Sequence, residues 1–456
     1  MQDRKQFILS ADIKTVMWQS SWPAVVAIVL YGLNNFLDAL LVGHLIGPES
    51  LAAVGLAYPL SQIVMGFARL TGTGGSAALS IWLGAKQDDK LHDLFGSLNI
   101  LCLLSTLLFS LPAYIFAEQL LQVLGAKGSL TLISAQYFRA SLIGSFFWIH
   151  GFSVNMLIRG EGKMKTAAWM IGIGLLIDIL LKPVFISVFN WGVAGAAWAT
   201  NAGMVIYSIL GISYFAKKNN PLKWYSLRFN ASVFREIITL GFPEMLFSVM
   251  SAIQSIVIIN ALGKYGSTTD LVFYTVVNRF YLFLLTPLFG LMRGLQPVAG
   301  INFGAGNHLR ARKSFYISIL AGLLLVVPFW LFSLLWPENL LLLILPGLQF
   351  SSFYFQNLSI YLSVLPLLPL IVMALAYLPA INQAQKASQL AIFRQLVFYL
   401  PAMIILPPIF GVSSIFWGSA CIEILVAGLT VILLKNGLEP GENKFINIQK
   451  RGLLKV

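Results

Sequence analysis

Twelve apolar runs, each near or above the roughly 20 residues that a bilayer-spanning helix requires, follow one another along this chain with polar breaks between them. They fall near residues 17–45, 51–83, 94–116, 131–157, 166–189, 192–216, 235–260, 271–303, 314–336, 354–383, 388–410 and 413–434. With 58% hydrophobic and 10% charged residues and a mean hydropathy of +0.82, there is too little polar side chain to coat a soluble body of 456 residues. The expected fold is an all-α membrane protein of twelve transmembrane helices. No small-residue cleavage site precedes the first run, so no leader is expected to be removed.

The net charge of +13 would suggest nucleic acid in a soluble protein, but its placement decides otherwise. Nearly all the Lys and Arg residues fall in the loops on the side of the N-terminus, whereas the opposite loops hold only Lys127 and Lys264. Both termini are therefore expected in the cytoplasm, by the excess of positive charge on that side of a membrane. With Arg159, Arg235 and Arg394 counted among the loop bases beside them, five bases, Arg69, Arg139, Lys182, Arg279 and Arg293, lie well within the apolar runs. Cys102 and Cys421 also sit in apolar runs and are read as small buried hydrophobes, with no disulfide or metal framework.

The chain repeats itself at an offset of 220 residues. Pro23 in SWPAVV falls on Pro243 in GFPEML, Gly84 in WLGAKQ falls on Gly304 in NFGAGN, and Gly192 meets Gly411 one residue out of register. Two pseudo-symmetric six-helix lobes follow, at 1–216 and 235–434, joined by a basic linker at 217–234 and followed by a tail at 435–456. Six is even, so both lobes enter from the same side and are parallel repeats about an axis along the membrane normal. A cleft between such lobes can open alternately to either side as they rock, which is how secondary transporters move a solute.

Several segments resemble the multidrug and toxic-compound extrusion (MATE) transporters. GLQPVAGINFGAGNHLRARKSF at 294–315 is similar to the family's signature after the eighth helix, and LDALLVGHLIGPESLAAVG at 37–55 to its first-helix segment. RGEGKMKTA at 159–167 and NWGVAGAAWAT at 190–200 are also similar. The resemblance implies export of amphipathic, often cationic molecules, driven by inward flow of sodium ions or protons. The implied partners are a small-molecule substrate, a proton or sodium ion and the lipid bilayer of a bacterial or archaeal inner membrane. A monomer without cofactor, with no nucleic acid and no enzymatic activity, is expected.

Charged groups at membrane depth cost at least ~2.5–3.5 kcal/mol each and need partners or a wet cavity. At 1.5 Å per residue, Asp38, Lys182 and Thr200 all lie about 10–12 Å below the surface opposite the termini. Asp178 stands one turn deeper than Lys182 on the same helix face, an acid-before-base spacing that favours pairing. In the family branch that this lobe resembles, the cation site uses an aspartate in the first helix, an asparagine and an aspartate four apart in the fifth, and a threonine in the sixth. Asp38 and Thr200 match. Aligned on Pro183, however, DILLKPVFI puts Asp178 where the family has asparagine and Lys182 where it has aspartate. A lysine ammonium there would take the place and charge of a bound sodium ion, so the expected coupling ion is the proton, acting through Asp38 and Asp178.

Arg69, Arg293 and Asn34 are the candidates for lining the substrate cleft, and a basic cleft would favour anionic or zwitterionic solutes. Arg139 and Arg279 lie near the outer surface, where long side chains reach water. Glu244 and Glu423 are further candidate proton carriers, with Glu244 expected to be wet near the inner surface. The second lobe otherwise shows no acidic cluster. His150 could shuttle protons, although a satisfied bundle residue is the simpler reading. TGTGGS at 71–76 lacks the lysine and strand of a phosphate loop and is read as a close-packing segment. Pro183, Pro287, Pro297, Pro328 and Pro401 mark expected kinks. The competing readings are a lipid-linked saccharide flippase of the same superfamily and a membrane protein without transport.

Overall fold

The computed structural model describes residues 2–216, 222, 228–339 and 352–438. Most of the expected linker, nearly all of the expected tail and the side chain of Arg279 lie outside the described residues. A short helix α1 (Gln2–Ser10) precedes α2 (Ile13–Leu45), α3 (Pro48–Ala85), α4 (Asp88–Ile115) and α5 (Ala117–Val123). The first lobe continues with α6 (Ser129–Ile143), α7 (Ser145–Gly160), α8 (Met164–Pro183) and α9 (Gly192–Phe215). The second holds α10 (Ala231–Tyr265), α11 (Thr268–Gly304), α12 (His308–Leu335), α13 (Ser352–Leu362), α14 (Leu368–Ala380), α15 (Ala384–Ile392), α16 (Leu400–Phe410) and α17 (Ser413–Leu438). Among the described residues, eleven segments are long and apolar enough to cross a membrane, and the pair α6 and α7, bent by 49°, makes a twelfth when taken as one span.

That bend has a specific cause. The backbone N–H of Gly144 bonds to the Leu142 carbonyl, and the Ala140 carbonyl, which would otherwise accept it four residues back, instead receives Asn201 Nδ2 from α9 at 2.8 Å. The Asn201 amide fills the space where any Cβ on residue 144 would have to stand. A polar side chain inserted into the helix ladder kinks it. Proline acts at the fifth helix of each lobe, where wider π-helical turns, Val184–Val188 and Phe393–Tyr399, adjoin Pro183 and Pro401. Such turns are common at functional sites.

The lobes meet through two seams related by the internal repeat. On one, Gly74 of α3 lies against Gly241 of α10; on the other, Gly294 of α11 lies against Ser21 of α2. The 220-residue shift converts one pair into the other. Where α3 and α11 cross, a Cβ on Gly84 would overlap the Ile301 carbonyl and one on Gly304 would overlap the Ile81 carbonyl, again exchanged by the same shift. Small residues permit this close backbone approach. The cores interlock likewise, since Ile13 and Met17 of α2 pack into the second-lobe core and Val233 and Ile237 of α10 into the first-lobe core.

All these approaches lie on the half of the bundle that carries the N-terminus. Further out, a Cβ on Gly32 of α2, Gly55 of α3 or Gly263 of α10 meets nothing within 4 Å. The lobes are thus packed at the N-terminal side and have open space beside these helices on the other. Helix α1 crosses the closed side: Arg4 donates from Nε to the Gly162 carbonyl of the first lobe at 3.1 Å, and Arg310 of the second lobe donates to the Ile8 carbonyl at 2.9 Å and to that of Ala11.

Candidate functional site

The four expected coupling residues come together in the first lobe. Asn34 and Asp38 lie four apart on α2, Asp178 and Lys182 four apart on α8, and each pair therefore shares one helix face. Gly203 of α9 lets Thr200 approach, because a Cβ at that position would stand 2.7 Å from the Gly174 carbonyl and 3.1 Å from the Asp178 Cβ. Lys182 Nζ donates to Asp38 Oδ1 at 2.5 Å, to Asp178 Oδ1 at 2.6 Å and to Thr200 Oγ1 at 3.2 Å. An ammonium has three protons and no lone pair, so these three acceptors satisfy it fully. Thr200 Oγ1 donates in turn to Asp178 Oδ1 at 3.0 Å. Asn34 Nδ2 closes the ring, reaching Asp38 Oδ2 at 3.3 Å and Asp178 Oδ2 at 3.2 Å. Asn34 is accordingly a member of this cluster.

Burial grades the cluster. The side chains of Lys182 and Asp178 are 2% and 1% exposed, whereas that of Asp38 is 27% exposed. One carboxylate is sealed behind the lysine and the other opens toward the space beside α2.

A second group of charges lies between the lobes. Arg293 Nη2 of α11 stands 3.5 Å from Glu244 Oε2 of α10, and its guanidinium lies 6.0 Å from the Phe152 ring centroid of α7. Glu244, expected near the inner surface in water, is 7% exposed. Helix α10 begins at Ala231 and carries Glu244 well inside the bundle, under Arg293. Arg69 of α3 is half-buried and, among the described residues, has no side-chain hydrogen bond or ion pair.

The second lobe holds a charged cluster that the sequence did not reveal. Arg394 Nη2, within the π-helical turn, donates to Glu423 Oε1 of α17 at 2.5 Å, and Tyr399 Oη donates to the same oxygen at 3.0 Å. Glu423 is 1% exposed, so it is a sealed ion-pair member. Arg394 was read as a loop base because a charge near the start of an apolar run looks wet; the signal that places it inside is Pro401, which marks the widened turn. Arg159, also read as a loop base, is 2% exposed and donates from Nε to Asn155 Oδ1 at 3.0 Å.

The remaining expectations divide. Arg139 pairs with Glu118 at 2.9 Å and is not simply solvated. His150 Nδ1 shares a hydrogen bond of 2.7 Å with Ser208 Oγ and stacks on Phe146, as a satisfied bundle residue does. Cys102 is buried, but Cys421 is exposed on the outer face of α17, since an apolar run in lipid has no need to bury every residue.

A duplicated bundle of membrane-length helices with buried charges within and between its lobes is the architecture of a membrane transporter. The MatE family model matches the chain twice, at residues 23–184 and 241–405, and the chain belongs to this family of MATE transporters. Each match falls within one of the two lobes. Among curated relatives, the multidrug export protein MepA of Staphylococcus haemolyticus is 24% identical over 457 residues, 98% of this chain and 100% of MepA. The probable multidrug resistance protein YoeA of Bacillus subtilis is 23% identical over 324 residues, 68% of this chain and 70% of YoeA. Solved structures share the fold: a MATE transporter in a bent conformation superposes with a TM-score of 0.87 at 23% identity, over 95% of this chain and 97% of that one. A multidrug resistance MATE transporter in an outward-facing conformation gives 0.86 at 23% identity, over 96% and 98%.

Proposed function

We propose that this chain exports small amphipathic organic compounds from the cytoplasm in exchange for protons, with Lys182 a tethered cation at the coupling site. The observation that carries the reading is the Lys182 ammonium, sealed at 2% exposure with each proton directed at an oxygen of Asp38, Asp178 or Thr200. A metal ion entering this ring would have to displace a covalently attached charge, whereas a proton needs only one carboxylate oxygen. Asp38 is the entry point because it alone among the charged members is partly exposed. A proton on Asp38 weakens its hold on Lys182 and so loosens α2 from α8. Helix α2 also forms a seam with α11 of the other lobe, so this loosening bears directly on whether the lobes stay packed on the N-terminal side.

In this reading both termini are cytoplasmic, the protein acts as a monomer in a bacterial inner membrane, and the open space beside α2 and α3 faces outward. The working units are the lobes at 1–216 and 235–434. The multidrug export activity in the name of MepA and the near-complete overlap with it support the substrate class. The test is transport of a fluorescent amphiphile by purified protein in sealed vesicles, with a pH gradient in sodium-free buffer. The expected result is uptake or release that follows the pH gradient with sodium absent; strict dependence on sodium would refute proton coupling through a tethered lysine.

A further inference from the structure

The outer cluster accounts for the acidic residues of the first lobe but leaves the arginines between the lobes without a role. Arg69 belongs to the face of α3 that meets the other lobe. Tyr58, Gln62, Gly66, Arg69 and Thr73 follow at helical spacing; a Cβ on Gly66 would stand 3.1 Å from Val249 of α10, and the Thr73 carbonyl accepts from Gln296 Nε2 of α11 at 3.1 Å. Arg69 lies one turn before Thr73 and Arg293 one turn before Gln296, so the contact between those two residues brings the two arginines to neighbouring turns across the seam. Arg293 is 9% exposed, and its Nη1 is buried without a hydrogen-bond partner. Its one carboxylate, Glu244, touches it through a single 3.5 Å contact and leaves its own Oε1 unpartnered.

Two guanidinium groups, of Arg69 and Arg293, thus stand at the level of one carboxylate, Glu244, at the junction of the lobes. Positive charge in excess at this depth calls for an acidic counter-group, and a guanidinium presents a planar fork of donors suited to a carboxylate or phosphate. The aromatic ring of Tyr58, on the same face and 58% exposed, offers an apolar surface beside it. We propose that Arg69 and Arg293 form a binding site for the acidic group, carboxylate or phosphate, of an amphiphilic solute, which would bridge the first lobe to the second. The proposal names the substrate class for the export function above and rests on that reading. Its consequence is that the solute fastens the lobes across the same seam that must part during transport.

The test is equilibrium binding in phosphatidylcholine nanodiscs, with fluorescein as the anionic probe and rhodamine 6G as the cationic one, read by fluorescence anisotropy. The expected result is tighter binding of fluorescein, with Arg69→Gln weakening it about tenfold or more, as the loss of a charged hydrogen-bond donor does. Rhodamine 6G binding should stay within about twofold in the same variant. The double variant Arg293→Gln with Glu244→Gln, which leaves no buried charge alone, should weaken fluorescein binding similarly. Fluorescein binding that survives both changes, or a wild-type preference for rhodamine 6G, would overturn the proposal. Displacement of fluorescein on adding phosphatidylglycerol to the nanodiscs would assign the arginines to a lipid headgroup and equally overturn it. No gradient is present in this experiment, so failure of proton coupling and failure of anion binding are separately visible.

Discussion

Lys182 of α8 and Asp38 of α2 meet at 2.5 Å, and this contact ties the interior of the first lobe to the helix that forms the seam with the second. The lysine is sealed and the aspartate is partly open. In the coupling proposed above, a change of charge at Asp38 alters the packing of α2 on both of its sides, and the identity of residue 182 decides which ion makes that change.

Exchanging the fifth-helix pair tests this directly. Asp178→Asn with Lys182→Asp removes the tethered ammonium and leaves Asp38, Asn34, Thr200 and the new amide and carboxylate, a set of oxygen donors of the kind that suits hard cations. Transport by this double variant in vesicles should rise about tenfold or more when sodium replaces choline outside, while wild type responds little. The single change Lys182→Ala strands the buried Asp178 and should cost about 3 kcal/mol, toward the lower end for a broken buried pair because Asp38 is partly wet. Loss of melting temperature in detergent reads the latter.

How much of this was legible beforehand follows from the kind of signal each feature leaves. Helix count and duplication were readable because length, hydropathy and the Gly84 and Gly304 pair are local or repeated patterns. The Asp178 and Lys182 contact was readable because both lie on one helix at the spacing of a turn. Asp38 and Thr200 required the family resemblance, since spacing along the chain does not report which helices touch. The pairing of Arg394 with Glu423 was missed for that reason: the two sit on separate helices, and a base near the end of an apolar run looks solvated until the widened turn at Phe393–Tyr399 is known. The burial of Glu244 was likewise hidden, because the apolar run begins later than the helix does.

The crossing of α3 and α11 predicts a matched pair of substitutions. Gly84→Ala and Gly304→Ala each force a methyl group onto a carbonyl of the opposite helix, and overpacking of this kind costs about 1–3 kcal/mol. Because the two sites are exchanged by the internal repeat, the costs should be alike. Spin labels on the C-terminal ends of α3 and α11, where the two glycines lie, should report a wider lobe separation in both variants. Gly172→Ala is the control, since a Cβ there meets nothing within 4 Å; it should be neutral or slightly stabilising, as alanine is the better helix former.

Glu161, in the turn between α7 and α8, supplies a pH dependence. Burial raises its pKa above the ordinary glutamate range, opposed by the hydrogen bond from Tyr214 Oη at 2.5 Å and by Lys163 at 3.6 Å. A carboxyl group that binds its proton more tightly when folded makes the native state hold more protons than the unfolded one, so stability falls as pH rises from about 4.5 through the raised value. Glu161→Gln removes that titration and keeps an acceptor for Tyr214. The difference in melting temperature between variant and wild type, measured from pH 4 to pH 7, should therefore grow in favour of the variant as pH rises. A flat difference would place the Glu161 proton in solvent.

The Arg394 and Glu423 pair separates a structural ion pair from a coupling one. Glu423 accepts from both Arg394 and Tyr399, and Arg394 stacks 5.3 Å from the Phe247 ring centroid, so the carboxylate is sealed and the guanidinium is 12% exposed. Arg394→Met should destabilise by about 3–5 kcal/mol, because it leaves a buried carboxylate alone. Adding Glu423→Leu should restore most of that loss, since replacing both partners with apolar groups removes the desolvation cost along with the attraction. If the first lobe carries the coupling, the stable double variant still transports along a pH gradient at a rate within about twofold of wild type. A double variant that folds, binds its solute and ignores the pH gradient would move proton coupling, in whole or in part, to the second lobe.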